Sequence, residues 1–214
     1  MKYKMVVFDM DGTLTRHVSS WQLVHEKLGL WDDDASRYQE QFLKGKISYK
    51  KFCELDAIRW QGIPVKKVEK ILHAIKYTRN AVKATRQLQA LGLKLAIIST
   101  GLDILANKVK KELGIDYCVS NKLFVHRGKL TGKVKIAVSH GEKGKMFRKL
   151  VKQAGIMPQE AIFVGDSATD VPAARAAGYA IAFNTANREL ERIADHVCKT
   201  GDFREVLSVI KSKI

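Results

Sequence analysis

Proline and cysteine are scarce in this chain of 214 residues, which has three of each. The cysteines, Cys53, Cys118 and Cys198, lie far apart and form no CxxC pair, and the six histidines show no HExxH spacing. These absences argue against a disulfide framework and against a structural zinc site. We expect three free thiols in the protein interior.

Long apolar runs are also missing. No stretch approaches the roughly 18 consecutive apolar residues that a membrane-spanning helix needs. The start of the chain has only Met5-Val6-Val7-Phe8 before the charge of Asp9. This run is shorter than the apolar region of about 7–15 residues in a signal peptide. We therefore expect a cytoplasmic protein with no membrane partner.

Negative charge is in short supply: 22 aspartates and glutamates face 38 lysines and arginines, which leaves a net charge of +16. Such an excess suits either nucleic-acid binding or the attraction of an anionic substrate. The basic residues are spread out, without an arginine-rich run or the aromatic pattern of an RNA-binding motif. We favour a small anionic substrate and expect no nucleic-acid partner. The sequence leaves the oligomeric state open.

Outside residues 16–78, apolar strands alternate with helices. This alternation predicts an α/β fold with three layers, built on a Rossmann-like, doubly wound parallel sheet. Asn80 and Asp202 are placed to cap helices, and Arg127-Gly128 suits a hairpin turn. The predicted strands are 4–8, 93–99, one from 117, 161–164 and 179–183, and the predicted helices are 81–91, 102–113, 142–154, 170–177 and one after 202.

Residues 16–78 break this rhythm. Apolar side chains recur there at helical spacing, for example Trp21, Val24 and Leu28, and no strand pattern is evident. The stretch predicts three or four helices inserted after the first strand. We expect a core domain of residues 1–15 and 79–214, with a small all-helical cap of residues 16–78.

Two aspartates follow the first strand, in the sequence Asp9-Met10-Asp11-Gly12-Thr13-Leu14-Thr15. Ligands of such sheets bind beyond the carboxyl ends of the strands. Two carboxylates at this spacing can divide into a nucleophile and a proton carrier, because the charge of one raises the pKa of the other. An acidic turn that caps a helix is the alternative interpretation.

Two further segments can meet a phosphate group. Ser99-Thr100-Gly101 follows a strand and offers hydroxyl and N–H groups at a helix start, although a plain helix cap is the favoured interpretation of this segment taken alone. Lys143 and Lys145 begin a helix, where a cation gains nothing from the helix dipole. Their position is explained if an anion shares the site; surface lysines are the alternative.

The last segment is Gly165-Asp166-Ser167-Ala168-Thr169-Asp170, again after a strand. The carboxylate of Asp166 suits Mg²⁺, which prefers oxygen ligands. Asp170 can support that site or hold Lys143. A loop in which Asp170 caps the next helix is the alternative.

These four segments, in this order and each at a strand end or helix start, resemble the haloacid dehalogenase superfamily over nearly the whole chain. The chain resembles the phosphatase branch because it has the second aspartate, Asp11, which dehalogenases lack. Within that branch it is similar to phosphoserine phosphatases, and the similarity includes Gly45-Lys46-Ile47-Ser48-Tyr49 and Gly128-Lys129-Leu130-Thr131-Gly132.

The resemblance implies a Mg²⁺-dependent phosphomonoester hydrolase that acts on a small phosphorylated metabolite through a phospho-aspartate. Asp9 is then the nucleophile and Asp11 the general acid and base. Phosphate binding is implied for Ser99, Thr100, Gly101 and Lys143, the last in preference to Lys145. The implied metal ligands are Asp9, Asp166 and the backbone carbonyl of Asp11, and Asp170 orients them.

The chain departs from phosphoserine phosphatases at the positions that read the substrate. Val18 stands near the position of the family's glutamate, and Asp56 stands near the position of its arginine. Arg16 or Arg59 is the nearest residue that could supply the missing charge. Thr169 stands where the family usually has asparagine. We therefore expect a preferred substrate other than phosphoserine. The candidate specificity residues in the cap are Trp21, Tyr49, Phe52 and Trp60, although for each of them a place in the core of the cap is the favoured interpretation.

Three alternatives stay open at this point. The chain can be a phosphoserine phosphatase proper, or a phosphotransferase that passes the group to another alcohol. It can also be a non-catalytic protein that binds phosphate or nucleic acid on the same fold.

Overall fold

A computed structural model describes residues 2–16 and 19–214 of the chain. His17 and Val18 lie outside the described residues, so the expectation placed on Val18 has no structural account. Among the described residues, no helix is long and apolar enough to cross a membrane.

Seven strands form one sheet in the order β4-β3-β2-β1-β5-β6-β7. All neighbouring pairs are parallel except β3 and β4, which form the predicted hairpin with Arg127 and Gly128 at positive φ in its turn. The strands are β1 Met5–Phe8, β2 Lys94–Leu102, β3 Tyr117–His126, β4 Lys129–Lys135, β5 Ala161–Gly165, β6 Tyr179–Phe183 and β7 His196–Cys198.

Strand β1 lies at the centre of the sheet, between β2 and β5, and all four of its residues are buried. The chain leaves β1 in one direction and returns through β5 on the other side, which is the point where ligands bind in a doubly wound sheet. Apolar side chains cover both faces of the sheet, as a parallel sheet between two helical layers requires. The α/β class predicted from the sequence is confirmed.

Ten α-helices are described. Four of them, α1 Ser20–Leu28, α2 Asp33–Leu43, α3 Tyr49–Ile58 and α4 Val65–His73, lie between β1 and the remaining strands. The other six pack on the sheet: α5 Ala81–Ala90, α6 Asp103–Leu113, α7 Lys143–Gln153, α8 Val171–Ala174, α9 Arg188–Ile193 and α10 Phe203–Lys211.

The helix ends follow ordinary capping chemistry in most places. The Oδ1 atom of Asp202 accepts a hydrogen bond from Arg204 N and begins α10, as the sequence predicts. Asn80 precedes α5 but does not cap it with its side chain; its Nδ2 atom donates to Asp202 Oδ1 instead. Leu28 and Leu113 are followed by glycines in the left-handed conformation, which end α1 and α6.

Helices α1 to α4 contact the core at several places, one of which is the β3–β4 hairpin. Gly62 N donates to Leu130 O, and Leu130 N donates to Ile63 O, each at 2.9 Å. Val65 N donates to Gly128 O at 2.9 Å. These bonds continue the hairpin edge into the helical segment, so the helices are held over the carboxyl end of the sheet.

Candidate active site

The polar side chains predicted from the sequence meet at the carboxyl edge of β1, β2 and β5. Asp9 follows β1, Ser99 lies in β2, and Asp166 follows β5, which pairs with β1. Lys143 is the first residue of α7, and Asp170 precedes α8. Adjacent parallel strands end at the same edge of the sheet, which is why segments far apart in sequence come together here.

Lys143 is buried between two carboxylates. Its Nζ atom lies 2.8 Å from Asp9 Oδ1 and 2.6 Å from Asp170 Oδ1, and its side chain is completely buried. Burial alone lowers the pKa of Lys143, but the charges of Asp170 and Asp9 more than offset this and leave the pKa raised. Lys143 is therefore a permanent cation. Lys145, the other lysine considered, is exposed.

Asp9 lies in an environment that disfavours its charge. Burial, and then the neighbouring charge of Asp170, raise the pKa of Asp9 well above its usual range, although Lys143 acts in the opposite direction. Burial and Asp170 likewise raise the pKa of Asp166 to about 7. The described residues thus bring several carboxylates to a single buried lysine, and a divalent cation would relieve that crowding.

Two residues of the first motif fix Asp166. Thr13 Oγ1 donates to Asp166 Oδ1 at 2.6 Å. Gly12 has φ +84°, and a Cβ atom at this position would collide with the Asp166 carboxylate. The glycine is therefore needed both for its backbone conformation and for the close approach of Asp166.

The metal-binding capacity of the site rests on oxygen atoms of Asp9, Asp166 and Asp170, which lie within 4.8 Å of one another. A cluster of carboxylate oxygens suits a hard divalent cation. Asp170, however, already uses both oxygens: Oδ1 contacts Lys143, and Oδ2 accepts from the N–H groups of Asp166 and Ser167 at 3.0 and 2.9 Å. Asp9 and Asp166 are the carboxylates more free to bind an ion.

The carboxylate of Asp11 is held by the first residue of α1. Asp11 Oδ2 accepts from Ser20 N at 2.8 Å and from Ser20 Oγ at 2.7 Å. Ser20 is fully buried, and its Oγ also accepts from Leu102 N at 3.2 Å. The two hydrogen bonds from Ser20 set the orientation of the Asp11 carboxyl group. A Cβ atom on Gly101 would come within 2.6 Å of Asp11 Oδ2.

The last residues of β2 are held by hydrogen bonds from the inserted helices and from β3. Ser99 is buried, and its Oγ accepts from Gly101 N at 3.0 Å. The carbonyl oxygen of Thr100 accepts three hydrogen bonds, from Trp21 Nε1 at 3.0 Å, Tyr49 OH at 3.1 Å and Asn121 Nδ2 at 2.9 Å. Two of the inserted helices therefore contact the same peptide group.

A cavity of about 230 Å³ opens between these loops and the inserted helices. Asp9, Asp11, Thr100 and Gly101 line it from the sheet, and Trp21, Tyr49 and Phe52 line it from the helices. Trp60, the fourth candidate from the sequence, does not face the site. Its side chain is fully buried, it is not among the lining residues, and it stacks on Trp21 with ring centroids 5.3 Å apart.

The position expected to read a substrate carboxylate is acidic and buried. Asp56, on α3, lines the cavity, and its Oδ1 atom lies 3.1 Å from Nε2 of the buried His25. Neither arginine suggested as a substitute reaches the cavity. Arg59 pairs with Asp32, and Arg16 borders two other cavities.

The fold and this site define a known class of enzyme. Residues 3–178 match the family of haloacid dehalogenase-like hydrolases. The chain belongs to this family and is one of its phosphatases, which confirms the assignment made from the sequence motifs. Phosphatases of the family generally use a divalent metal ion, and the aspartate cluster can hold one.

The chain is similar to phosphoserine phosphatases in particular. That of Methanocaldococcus jannaschii is 33% identical over 98% of this chain and 99% of its own length. That of Archaeoglobus fulgidus is also 33% identical over 97% of this chain, which spans 60% of that longer protein. A phosphoserine phosphatase solved as an analogue of its phospho-aspartyl intermediate has a TM-score of 0.83 and 30% identity, and covers 98% of this chain and 99% of its own.

Three residues of the site were not singled out by the sequence analysis. Thr13 lay inside the first motif, directly after the glycine, and its hydroxyl was a usable signal. Ser20 and Asn121 carried none, because their roles depend on how α1 and β3 approach the β2 loop. Asn121 is fully buried and uses its whole amide, accepting from the N–H groups of Ala137 and Val138 as well as donating.

Proposed function

We propose that the protein is a Mg²⁺-dependent phosphomonoesterase that forms a phospho-aspartate on Asp9. The observation that carries this proposal is the position of Asp9, at the end of the central strand, with Lys143 Nζ 2.8 Å away and the carboxylate of Asp166 beside it. The likeness to a solved phospho-aspartyl intermediate analogue supports it. The substrate class is a small phosphorylated metabolite, in keeping with the size of the cavity.

The metal ion would be held by Asp9, Asp166 and the backbone carbonyl of Asp11. When bound, it offsets the repulsion between an anionic phosphate and the anionic nucleophile. Asp170 orients this group rather than ligating the ion, because its oxygens are occupied by Lys143 and by two N–H groups.

The phosphoryl group would be bound by Ser99, Thr100, Gly101 and Lys143. Gly101 N already donates to Ser99 Oγ at 3.0 Å, so the two groups are adjacent. Lys143 supplies the positive charge, and its burial strengthens the attraction between that charge and the phosphoryl group, because the local dielectric constant is low.

Catalysis then proceeds in two steps. A carboxylate oxygen of Asp9 attacks phosphorus, the bond to the ester oxygen breaks, and Asp11 gives that oxygen a proton. Asp11 next takes a proton from water, which attacks the phospho-aspartate, releases inorganic phosphate and restores Asp9. The hydrogen bonds from Ser20 hold Asp11 in place for both steps.

We further propose that residues 16–78 act as a cap over a core of residues 1–15 and 79–214. Helices α1 to α4 all lie within that insertion. Trp21, Tyr49 and Phe52 reach the cavity from these helices, so we propose them as specificity residues.

Phosphoserine hydrolysis is the second candidate, because the named relatives are phosphoserine phosphatases. We expect phosphoserine not to rank first, since Asp56 stands where a cation is needed and Arg59 is paired elsewhere. Transfer of the phosphoryl group to another alcohol would appear as labelled phosphate on an added acceptor.

The test uses an aryl phosphate and an alkyl phosphate with purified protein. Hydrolysis of both should require Mg²⁺ and disappear in Asp9→Asn. Asp11→Asn should lose about 10²–10⁴-fold on the alkyl ester, the usual contribution of a positioned acid, and less on the aryl ester, whose leaving group needs little protonation. Equal losses on both esters would contradict the acid role of Asp11.

A further inference from the structure

The cavity beside the proposed phosphate site has an unexpected charge. The protein carries a net charge of +16, yet within residues 2–16 and 19–214 no lysine or arginine lines this cavity. Its ionisable lining side chains include Asp9, Asp11 and Asp56, and the pKa of His140, the histidine of the lining, is lowered by burial and by Lys143. A carboxylate on the leaving group would therefore lie unpaired among acidic groups, which is costly.

Asp56 offers the leaving group a fixed acceptor. Trp60 Nε1 donates to His25 Nδ1 at 3.4 Å, and His25 Nε2 lies 3.1 Å from Asp56 Oδ1, which fixes the position of this carboxylate beside the imidazole. The second oxygen of Asp56 has no hydrogen-bond partner in the described part of the chain. Asp56 is 2% exposed and lines the cavity, so a donor on the substrate can reach its carboxylate.

The remaining walls are aromatic and uncharged. Trp21 is covered on one face by Trp60, and Phe52 is stacked on Phe42 at 5.2 Å with an interplanar angle of 2°. Each therefore presents its other face or an edge to the cavity that it lines. Gln22 contributes a neutral amide to the same lining. Rings of this kind pack against C–H groups, while amides meet hydroxyl groups.

We propose that the leaving group is a small uncharged polyhydroxy alcohol, a monosaccharide or a polyol, with a hydroxyl that donates to Asp56. The proposal rests on the phosphatase function proposed above and specifies its substrate class. A volume of about 230 Å³ is below the roughly 300–1,000 Å³ of pockets for larger ligands, so a single sugar unit is the appropriate size. The same carboxylate can accept from an ammonium group, and the test separates the two donors.

The experiment is a comparison of kcat/KM with Mg²⁺ for the wild-type protein. The esters are glucose 6-phosphate, ribose 5-phosphate, sorbitol 6-phosphate, phosphoethanolamine, phosphoserine and an aryl phosphate. We expect a sugar or polyol phosphate to rank first among the alkyl esters. A first rank for phosphoserine or for phosphoethanolamine overturns the proposal while leaving the phosphatase function intact. Absence of hydrolysis of every ester, the aryl phosphate included, overturns the phosphatase function itself.

Two variants on α3 test the proposed hydrogen bond between the substrate hydroxyl and Asp56. Asp56→Asn should lower kcat/KM for the best sugar or polyol ester, relative to the aryl phosphate, by roughly 10–100-fold, the range for a hydrogen bond to a charged group. Glu54→Gln is the matched control, because among the described residues its carboxylate pairs with Lys50, at 3.8 Å, and Glu54 does not line the cavity. An unchanged ratio in a folded Asp56→Asn protein overturns the role of Asp56.

Discussion

Replacement of Lys143 by methionine removes the buried cation and keeps most of the side-chain volume. Its Nζ atom lies 2.8 Å from Asp9 and 2.6 Å from Asp170, so at an effective dielectric constant of about 20 each attraction is about 6 kcal/mol before desolvation is subtracted. The lysine and both carboxylates are taken out of water on folding, and that cost offsets most of the attraction.

The net loss of stability depends on the carboxylates that stay buried in the variant without a cation. Removing one partner of a buried ion pair typically costs about 3–5 kcal/mol, because the other charge stays buried without compensation. In a protein of this size, that loss lowers Tm by roughly 6–20 °C. The rate should fall by about 10²–10³-fold, the usual effect of removing one group that stabilises the developing charge.

The assay is urea unfolding in EDTA at pH 7.5 and pH 5.5, together with kcat on an aryl phosphate in Mg²⁺. Without the lysine, burial and the charge of Asp170 raise the pKa of Asp9 still further above that of the unfolded chain. Such groups lose stability as the pH rises through the folded pKa, so the deficit of the Lys143→Met variant should be larger at pH 7.5 than at pH 5.5.

Lys145→Met is the matched control, because Lys145 lies two residues further along the same helix, is exposed, and should change the free energy of unfolding by less than about 0.5 kcal/mol when replaced. The double variant Lys143→Met with Asp170→Asn should regain part of the lost stability, since one of the two stranded charges is gone. The role given to the buried cation is contradicted if Lys143→Met is as stable as the wild-type protein at pH 7.5. It is also contradicted if Lys145→Met loses as much activity as Lys143→Met.

Two further predictions concern Ser20 and the thiols. Ser20→Ala should lower the free energy of unfolding by about 1–3 kcal/mol, because Asp11 loses a hydrogen-bond donor. It should also slow the hydrolysis of alkyl esters more than that of aryl esters. Ser48→Ala, at the start of α3, should lower the stability without changing the hydrolysis rates. Native protein at pH 8 should react slowly with dithionitrobenzoate, because burial raises the thiol pKa to about 12, 11 and 12 at Cys53, Cys118 and Cys198. Unfolding free energy should then fall as pH rises from 8 to 10, where only the unfolded thiols ionise; a flat profile contradicts this.

The strands of the core could be predicted from the sequence because each is an apolar run with a polar group at its end. β6 matches its predicted bounds, Tyr179–Phe183. β2 runs on to Leu102, beyond the predicted end at Ser99, because the last residues are buried and Leu102 pairs with Asn121 across a register shift. That pairing is a long-range contact and leaves no local pattern.

Two elements near the end of the chain were missed and one was overestimated. β7 and α9 are only three and six residues long, and β7 exists because it pairs with β6. The helix predicted over 170–177 is a 3-10 turn at Ala168–Asp170 followed by α8, Val171–Ala174. Its early end follows from the backbone of Gly178, whose N–H donates to Pro158 O and Ala161 O and so turns the chain into β6.

The core half of the site was predictable and the cap half was not. Asp9, Ser99 and Asp166 come together because the sheet topology brings strand ends to one edge, and sequence order is enough to infer that. The approach of Ser20 to Asp11, and of His25 to Asp56, depends on how separate helices pack. Periodicity indicates that such helices exist but does not fix their mutual orientation.

The Thr100 carbonyl has a consequence for turnover. A carbonyl oxygen offers two lone pairs, and three donors share this one, from Trp21, Tyr49 and Asn121. All three distances, 2.9–3.1 Å, are those of ordinary hydrogen bonds, and two of the donors belong to the inserted helices α1 and α3. Thr100 is also one of the residues proposed to bind the phosphoryl group, so a movement of α1 or α3 that admits an ester would also act on that binding site.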